Sequence, residues 1–260
     1  MTAADQVLFE VRDHVATVVF NRPQVLNAIT TPMLERLIEV FEHVDDDPSV
    51  WCVVVKGAGR AFCVGADMAE RKGMSADDVR RRRRIAPRAF GAMRNCQRPV
   101  IGQVHGYALG GGLELALGCD IVIAAEGTVL GLVETRLGAI PAGGGTQLLP
   151  RLVGAARAKE LIFTGRRFGA AEAAGWGMLN RVVPAHELDE TVAALAREIL
   201  LAAPVANVQA KRAVNMSLDL DLRSGIEAEA ALYERTLTSA DRAEAVQAFA
   251  DKRPPTFSGR

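Results

Sequence analysis

The sequence predicts an α/β protein built from crossover units. Strand-like runs rich in β-branched residues alternate with stretches of helical spacing. The most apolar of these runs, such as Trp-Cys-Val-Val-Val at 51–55, do not alternate apolar with polar. That is the pattern of parallel strands covered on both faces. Beyond about residue 186 no strand signal remains, and helical spacing takes over.

Residues 7–20 read as two strands with a turn at Arg12-Asp13-His14, and Asn21-Arg-Pro23 ends the second. Thr31-Pro32 opens a helix, since proline is tolerated in a first turn. Met33, Leu34, Leu37, Ile38 and Phe41 then recur at helical spacing. After the strand at 51–55, a loop over 57–73 contains Cys63-Val-Gly-Ala-Asp67. A basic region follows, with Arg80 to Arg84 consecutive. A strand at 100–105 runs into Gly106-Tyr-Ala-Leu-Gly-Gly-Gly112, where a helix carrying Glu114 and Leu115 starts. Residues 121–125 read as a strand, and Gly143-Gly-Gly-Thr-Gln starts a further helix. Helices are expected near 187–202, 205–217, 223–238 and 241–251, with breaks at Pro204 and 218–222. Leu218-Asp-Leu-Asp-Leu222 alternates like a short strand, but over only five residues.

With 260 residues, 49% of them hydrophobic, the chain can bury a large core as one main domain with a smaller appendage. Lys plus Arg equals Asp plus Glu, at 31 each, which argues against a dedicated nucleic-acid binder. Neutrality also leaves little repulsion between copies. Cys52, Cys63, Cys96 and Cys119 form no Cys-x-x-Cys pair and lie in apolar surroundings, as expected for reduced core residues in a cytoplasmic protein. The four histidines are scattered, so no metal site is expected. The N-terminus resembles neither a signal peptide nor a mitochondrial presequence, and no apolar run is long enough to span a membrane.

Gly110-Gly-Gly112 follows a strand and opens a helix. Such a turn lets a ligand approach backbone amides at the positive end of a helix dipole, which suits a developing oxyanion. A tight turn needed only for packing is the competing reading. The run lacks the Gly-Lys-Ser/Thr of a nucleotide-triphosphate loop and does not fit the dinucleotide fingerprint. Glu114 lies among Leu113, Leu115, Ala116 and Leu117, where desolvation should raise its pKa. Glu134 sits between Val133 and Thr135-Arg136 and reads either as a helix-start acid or as a functional carboxylate. Two carboxyls with pKa values pushed apart can add water to an activated double bond without a metal. Sequence spacing alone does not bring the two together.

Three motifs carry a family resemblance: Phe62-Cys-Val-Gly-Ala-Asp67, Gly106-Tyr-Ala-Leu-Gly-Gly-Gly-Leu-Glu114, and Gly131-Leu-Val-Glu134 running to Pro141-Ala-Gly-Gly-Gly-Thr146. Over nearly its whole length the chain resembles the enoyl-CoA hydratase/isomerase, or crotonase, family. Leu130 to Thr135 and Glu160 to Arg167 are most similar to methylglutaconyl-CoA hydratase-like members. Those members' lysine comb on the first long helix, which is tied to RNA binding, is absent from residues 31–44.

The resemblance implies a spiral of ββα units over 1–200 holding the coenzyme A and acyl sites. It implies a C-terminal helical trimerisation region over 201–260. Ala66 and Gly111 would supply the oxyanion N–H groups, and Glu114 and Glu134 would be the catalytic pair. Glu114 would activate water, and Glu134 would deliver the Cα proton. Ala66, Asp67 and Gly110 would line the coenzyme A thioester region, with Asp67 expected to cap or brace the loop. The implied reaction is reversible hydration of a trans-2-enoyl-CoA to a 3-hydroxyacyl-CoA, a lyase step of fatty-acid metabolism. The acyl-CoA thioester is the partner, and coenzyme A belongs to the substrate, so no separate cofactor is implied. The implied assembly is a homotrimer, or a hexamer built as a dimer of trimers.

An isomerase, a specialised hydroxyacyl-CoA dehydratase, and an RNA-binding or scaffold protein on the same fold are the alternatives. Met68, Met74, Ile85, Phe90 and Met93 could line an acyl pocket. The arginine run reads as a solvated helix face, a salt-bridge set or an attractor of coenzyme A phosphates. Consecutive arginines wrap around a helix, so they cannot all serve one ligand. Phe257 reads as a tail anchor.

Overall fold

The computed structural model describes residues 2–260. A short helix, α1 (Ala3–Gln6), leads into the antiparallel pair β1 (Val7–Arg12) and β2 (Val15–Phe20). Their turn residues Asp13 and His14 take φ of 46° and 66°, a handedness that matches the twist of paired strands. Helix α2 (Thr31–Asp46) is capped by Thr30, whose Oγ1 accepts from the Met33 amide at 3.3 Å. The expected apolar face of α2 is buried. Strand β3 (Cys52–Gly57), helices α3 (Met68–Gly73) and α4 (Ala76–Arg94), and strands β4 (Val100–Val104) and β5 (Tyr107–Leu109) follow. Then come α5 (Gly111–Leu117), β6 (Ile121–Ala125), β7 (Val129–Gly131), α6 (Gly145–Val153), α7 (Ala155–Thr164) and β8 (Phe168–Gly169). The chain continues through α8 (Ala170–Gly175), β9 (Arg181–Val183), α9 (Leu188–Leu200), α10 (Pro204–Met216), α11 (Leu222–Leu237) and α12 (Ala240–Ala250).

The larger sheet runs β1-β2-β3-β4-β6-β9, parallel from β2 onward. A smaller sheet runs β5-β7-β8. Chain turns send a strand into the large sheet, a short segment into the small one, and then a helix, giving the repeated ββα unit. Parallel bridges Ile29↔Ala66 and Cys63↔Ala108 extend the small sheet's side. The loop at 63–67, the start of α5 and the segment after β7 therefore lie next to one another.

The lack of alternation in the β3 run has a direct cause. Val53 and Val55 join the main core with Phe20, Phe62 and Leu113. Cys52 and Val54 point to the other face, where Leu188, Val192 and Ala196 of α9 cover them. Both faces are dry, so both must be apolar. All four cysteines are free thiols, three of them buried.

After Pro204, α10 leaves the sheet and packs against α11. Lys211 ties α10 back, its Nζ donating to Asp120 Oδ2 at 2.6 Å and to the Arg98 carbonyl at 2.8 Å. The strand-like alternation at 218–222 forms turns and the start of α11 instead. Asp221 caps that helix, accepting from the Arg223 and Ser224 amides at 3.1 Å. No single helix among the described residues is long and apolar enough to cross a membrane.

Candidate active site

Three segments meet at the N-terminus of α5. The first is the loop at 63–67. Gly65 takes φ +86°, and a Cβ there would fall 2.8 Å from the Leu109 carbonyl and 3.0 Å from the Gly111 nitrogen. Only glycine allows this approach of two backbones. It sets Ala66 beside the start of α5, where Gly110 has φ +51°. The amides of Ala66 and Gly111 donate to no protein group among the described residues. Gly111 is the first residue of its helix, where an N–H has no partner within the helix.

Asp67 acts as the expected brace. Its Oδ1 accepts from the Ala69 and Glu70 amides at 3.0 and 3.1 Å, and its Oδ2 pairs with Arg22 Nη1 at 2.8 Å. Burial pushes its pKa up, but Arg22 and the two amides outweigh burial and hold the carboxyl below its ordinary value.

Glu114 lies in the first turn of α5 and is 4% exposed. Its Oε1 accepts from the Gly143 and Gly145 amides at 2.7 and 2.8 Å. The second glycine turn therefore holds the acid of the first. Burial raises the Glu114 pKa, and the amides of 143–145 oppose that rise without cancelling it. Phe90 fills the space between the two turns. A Cβ on Gly143 would meet its ring at 2.6 Å, and one on Gly111 at 3.4 Å.

Glu134 opens a single helical turn, Glu134–Leu137, two residues after β7. Its Oε1 lies 3.0 Å from the position a Cβ on Gly110 would take, so it leans against the start of α5. Its Oε2 is buried without a hydrogen-bond partner among the described residues. Burial pushes its pKa up to about 7, and the nearby Glu114 charge adds to the rise. Of the two glutamates, 20 positions apart in the chain, Glu134 thus leans on Gly110 and Glu114 follows Gly111 in the same helical turn, with both carboxyls raised.

Of the other expected pocket residues, Met68 stands 57% exposed, and Met93 packs in the core against Gly118 at the far end of α5. The arginine run is divided by its helix. Arg80 pairs with Asp77 and Arg81 with Glu35 on the exposed side. Arg82 turns inward to Glu70 at 2.8 Å. Phe257 is half-buried in a tail whose neighbours Ser258 and Gly259 donate to Asp241. Sequence reasoning did not single out Arg22, Ile29 or the Gly143 and Gly145 amides as parts of the site. Their roles depend on contacts between segments far apart in sequence.

Comparison with known proteins matches this architecture. The family model for enoyl-CoA hydratase/isomerase covers residues 10–260. The Bacillus subtilis protein YngF is 42% identical over 257 residues, spanning 98% of this chain and 99% of that one. The mitochondrial enoyl-CoA hydratase domain-containing protein 2 of Bos taurus is 40% identical over 94% of this chain and 84% of its own. The crystal structure of enoyl-CoA hydratase from Bacillus anthracis superposes with a TM-score of 0.94 at 40% identity, covering 98% of this chain and 100% of that one. With a spiral ββα fold and relatives matched end to end, the chain belongs to the enoyl-CoA hydratase/isomerase family.

Proposed function

We propose that the protein catalyses reversible hydration of a trans-2-enoyl-CoA thioester to the 3-hydroxyacyl-CoA. The supporting observation is a buried carboxyl, Glu114, and a part-buried one, Glu134, both with raised pKa, near the start of α5, where two backbone amides have no partner among the described residues. The thioester oxygen accepts from the Ala66 and Gly111 N–H groups, which stabilise the negative charge that builds there as C3 is attacked. Ala66, Asp67 and Gly110 form the wall of this thioester region.

Glu114 has one oxygen held by the Gly143 and Gly145 amides, leaving the other to orient water and take its proton. The water oxygen bonds to C3, and the C2–C3 π pair moves toward the thioester. Glu134, raised to about 7, carries a proton near neutrality and delivers it to C2. One proton enters the pair and one leaves it, so the pair's proton count is unchanged over the reaction. In the reverse direction the same groups exchange roles.

We further place the chain in a homotrimer or a hexamer built from two trimers, with residues 201–260 as the contact region. Leu222 and Phe249 on α11 and α12 stand 81% and 87% exposed, as surfaces awaiting a partner do. Free, mostly buried thiols fit a reducing, cytoplasmic setting.

Loss of enoyl thioester absorbance with crotonyl-CoA tests the reaction. Turnover supports hydration. Inertness toward simple 2-enoyl-CoAs, with conversion of 3-enoyl-CoAs instead, overturns it in favour of isomerisation. Sedimentation equilibrium tests the assembly, where a monomer mass would overturn the placement.

A further inference from the structure

The arginine run has no part in the proposed reaction, yet one of its members is built into the site. Arg82 is 5% exposed, whereas its neighbours in the run face solvent. Its Nη2 donates to the Ile29 carbonyl at 3.0 Å. Its Nη1 donates to Glu70 Oε2 at 2.8 Å and to Thr31 Oγ1 at 3.1 Å. Glu70 in turn accepts from the Thr31 amide at 2.8 Å.

Ile29 connects these contacts to both proposed oxyanion donors. Its N–H donates to the Gly65 carbonyl at 2.7 Å, and its carbonyl accepts from the Asp67 amide at 3.0 Å. Ala66, between those two residues, is thereby fixed in the bridge to Ile29. The Ile29 side chain lies 3.3 Å from where a Cβ on Gly111 would stand. On the preceding residue, Arg22 Nη1 donates to the Ala28 carbonyl at 2.6 Å while pairing with Asp67. Two guanidinium groups therefore hold the short segment Ala28-Ile29 from either end.

We propose that Arg82 is a positioning residue that sets the Ala66 amide through Ile29, with Arg22 as its counterpart on Ala28 and Asp67. This rests on the reading of Ala66 and Gly111 as oxyanion donors. A buried guanidinium is a costly way to fill a helix–loop contact that an apolar side chain could fill. What the guanidinium adds is direction: its planar fork fixes a carbonyl, a hydroxyl and a carboxylate at once. Displacement of an oxyanion donor by a fraction of an ångström weakens transition-state binding more than ground-state binding.

Arg82→Met keeps the volume of the stem and removes the fork. The expected result is a fall in kcat of about 10- to 100-fold, with KM changed by less than about threefold. Arg82→Lys, which can reach fewer of the three acceptors at once, should lie between the two and guards against failure of the methionine variant to fold. Arg83→Ala, on the exposed face, should match the wild type. Infrared difference spectra of bound butyryl-CoA carrying a 13C thioester carbonyl provide the second readout. The binding-induced fall in carbonyl frequency should shrink to about half in Arg82→Met. A full wild-type shift with unchanged kcat in that variant overturns the proposal. If the wild type itself shows no shift, the oxyanion reading fails first, and the proposal falls with it.

Discussion

Glu134 should make the protein less stable than it could be, and removing its charge should show by how much. The carboxyl has an ordinary pKa of 4.5 and a folded value of about 7, raised by burial. Below pH 4.5 the folded and unfolded chains both hold the proton, and the group contributes nothing. Between pH 4.5 and 7 the unfolded chain gives up its proton while the folded one keeps it, so stability falls as pH rises. Above pH 7 the penalty is constant. Complete shielding from water would set it at about 3 kcal/mol. The side chain is only part-buried, so screening reduces this to about 1–2 kcal/mol.

Glu134→Gln removes the ionisation. It should therefore unfold at a temperature about 2–6 °C above the wild type at pH 8, with little difference at pH 5. Thermal unfolding followed by circular dichroism at the two pH values measures this. Equal differences at both pH values, or a variant less stable at pH 8, would refute the reasoning. The same substitution should lower turnover by about 10²–10⁴-fold, separating the cost of the group from its use.

Two further outcomes follow from the same geometry. The hydration kcat/KM should fall as pH rises through about 7, because Glu134 then loses the proton it delivers; a pH–rate profile checks this, and a flat profile from pH 6 to 9 contradicts it. Lys211→Met should lower stability to urea by about 2 kcal/mol, because it leaves Asp120, whose side chain is 24% exposed, held by the Val100 amide but without its one ion-pair partner among the described residues; an unchanged urea midpoint would count against the role of this tie between α10 and the sheet.

Most of the large sheet was legible because its strands β1 to β4 and β6 are five or six residues long and rich in apolar or β-branched residues, whereas the three-residue β9 at its edge was not. The runs at β2, β3, β4 and β6 stand out for that reason. The small sheet was not. Tyr107–Leu109, Val129–Gly131 and Phe168–Gly169 are two or three residues each and exist only through pairing with distant partners. Such segments leave no periodicity to detect. Among site residues, Glu114 was legible as an acid inside an apolar helix. The Asp67 brace was expected from its place in the loop, but the helix it caps, α3, lies where the sequence read as loop throughout. That the Gly143 and Gly145 amides hold Glu114 is a contact across about 30 positions and has no local signature. Within five identical arginines, composition cannot say which one turns inward. Helix α4 decides, by the face it packs on α2 and turns toward Glu70 of α3.

The central claim is that Glu114 and Glu134 jointly add water to an enoyl thioester. The most direct measurement is steady-state hydration of crotonyl-CoA by the wild type, Glu114→Gln and Glu134→Gln, with fold and assembly checked in each. Each single variant should lose about 10²–10⁴-fold in kcat. Near-normal rates in both variants would contradict the assigned chemistry.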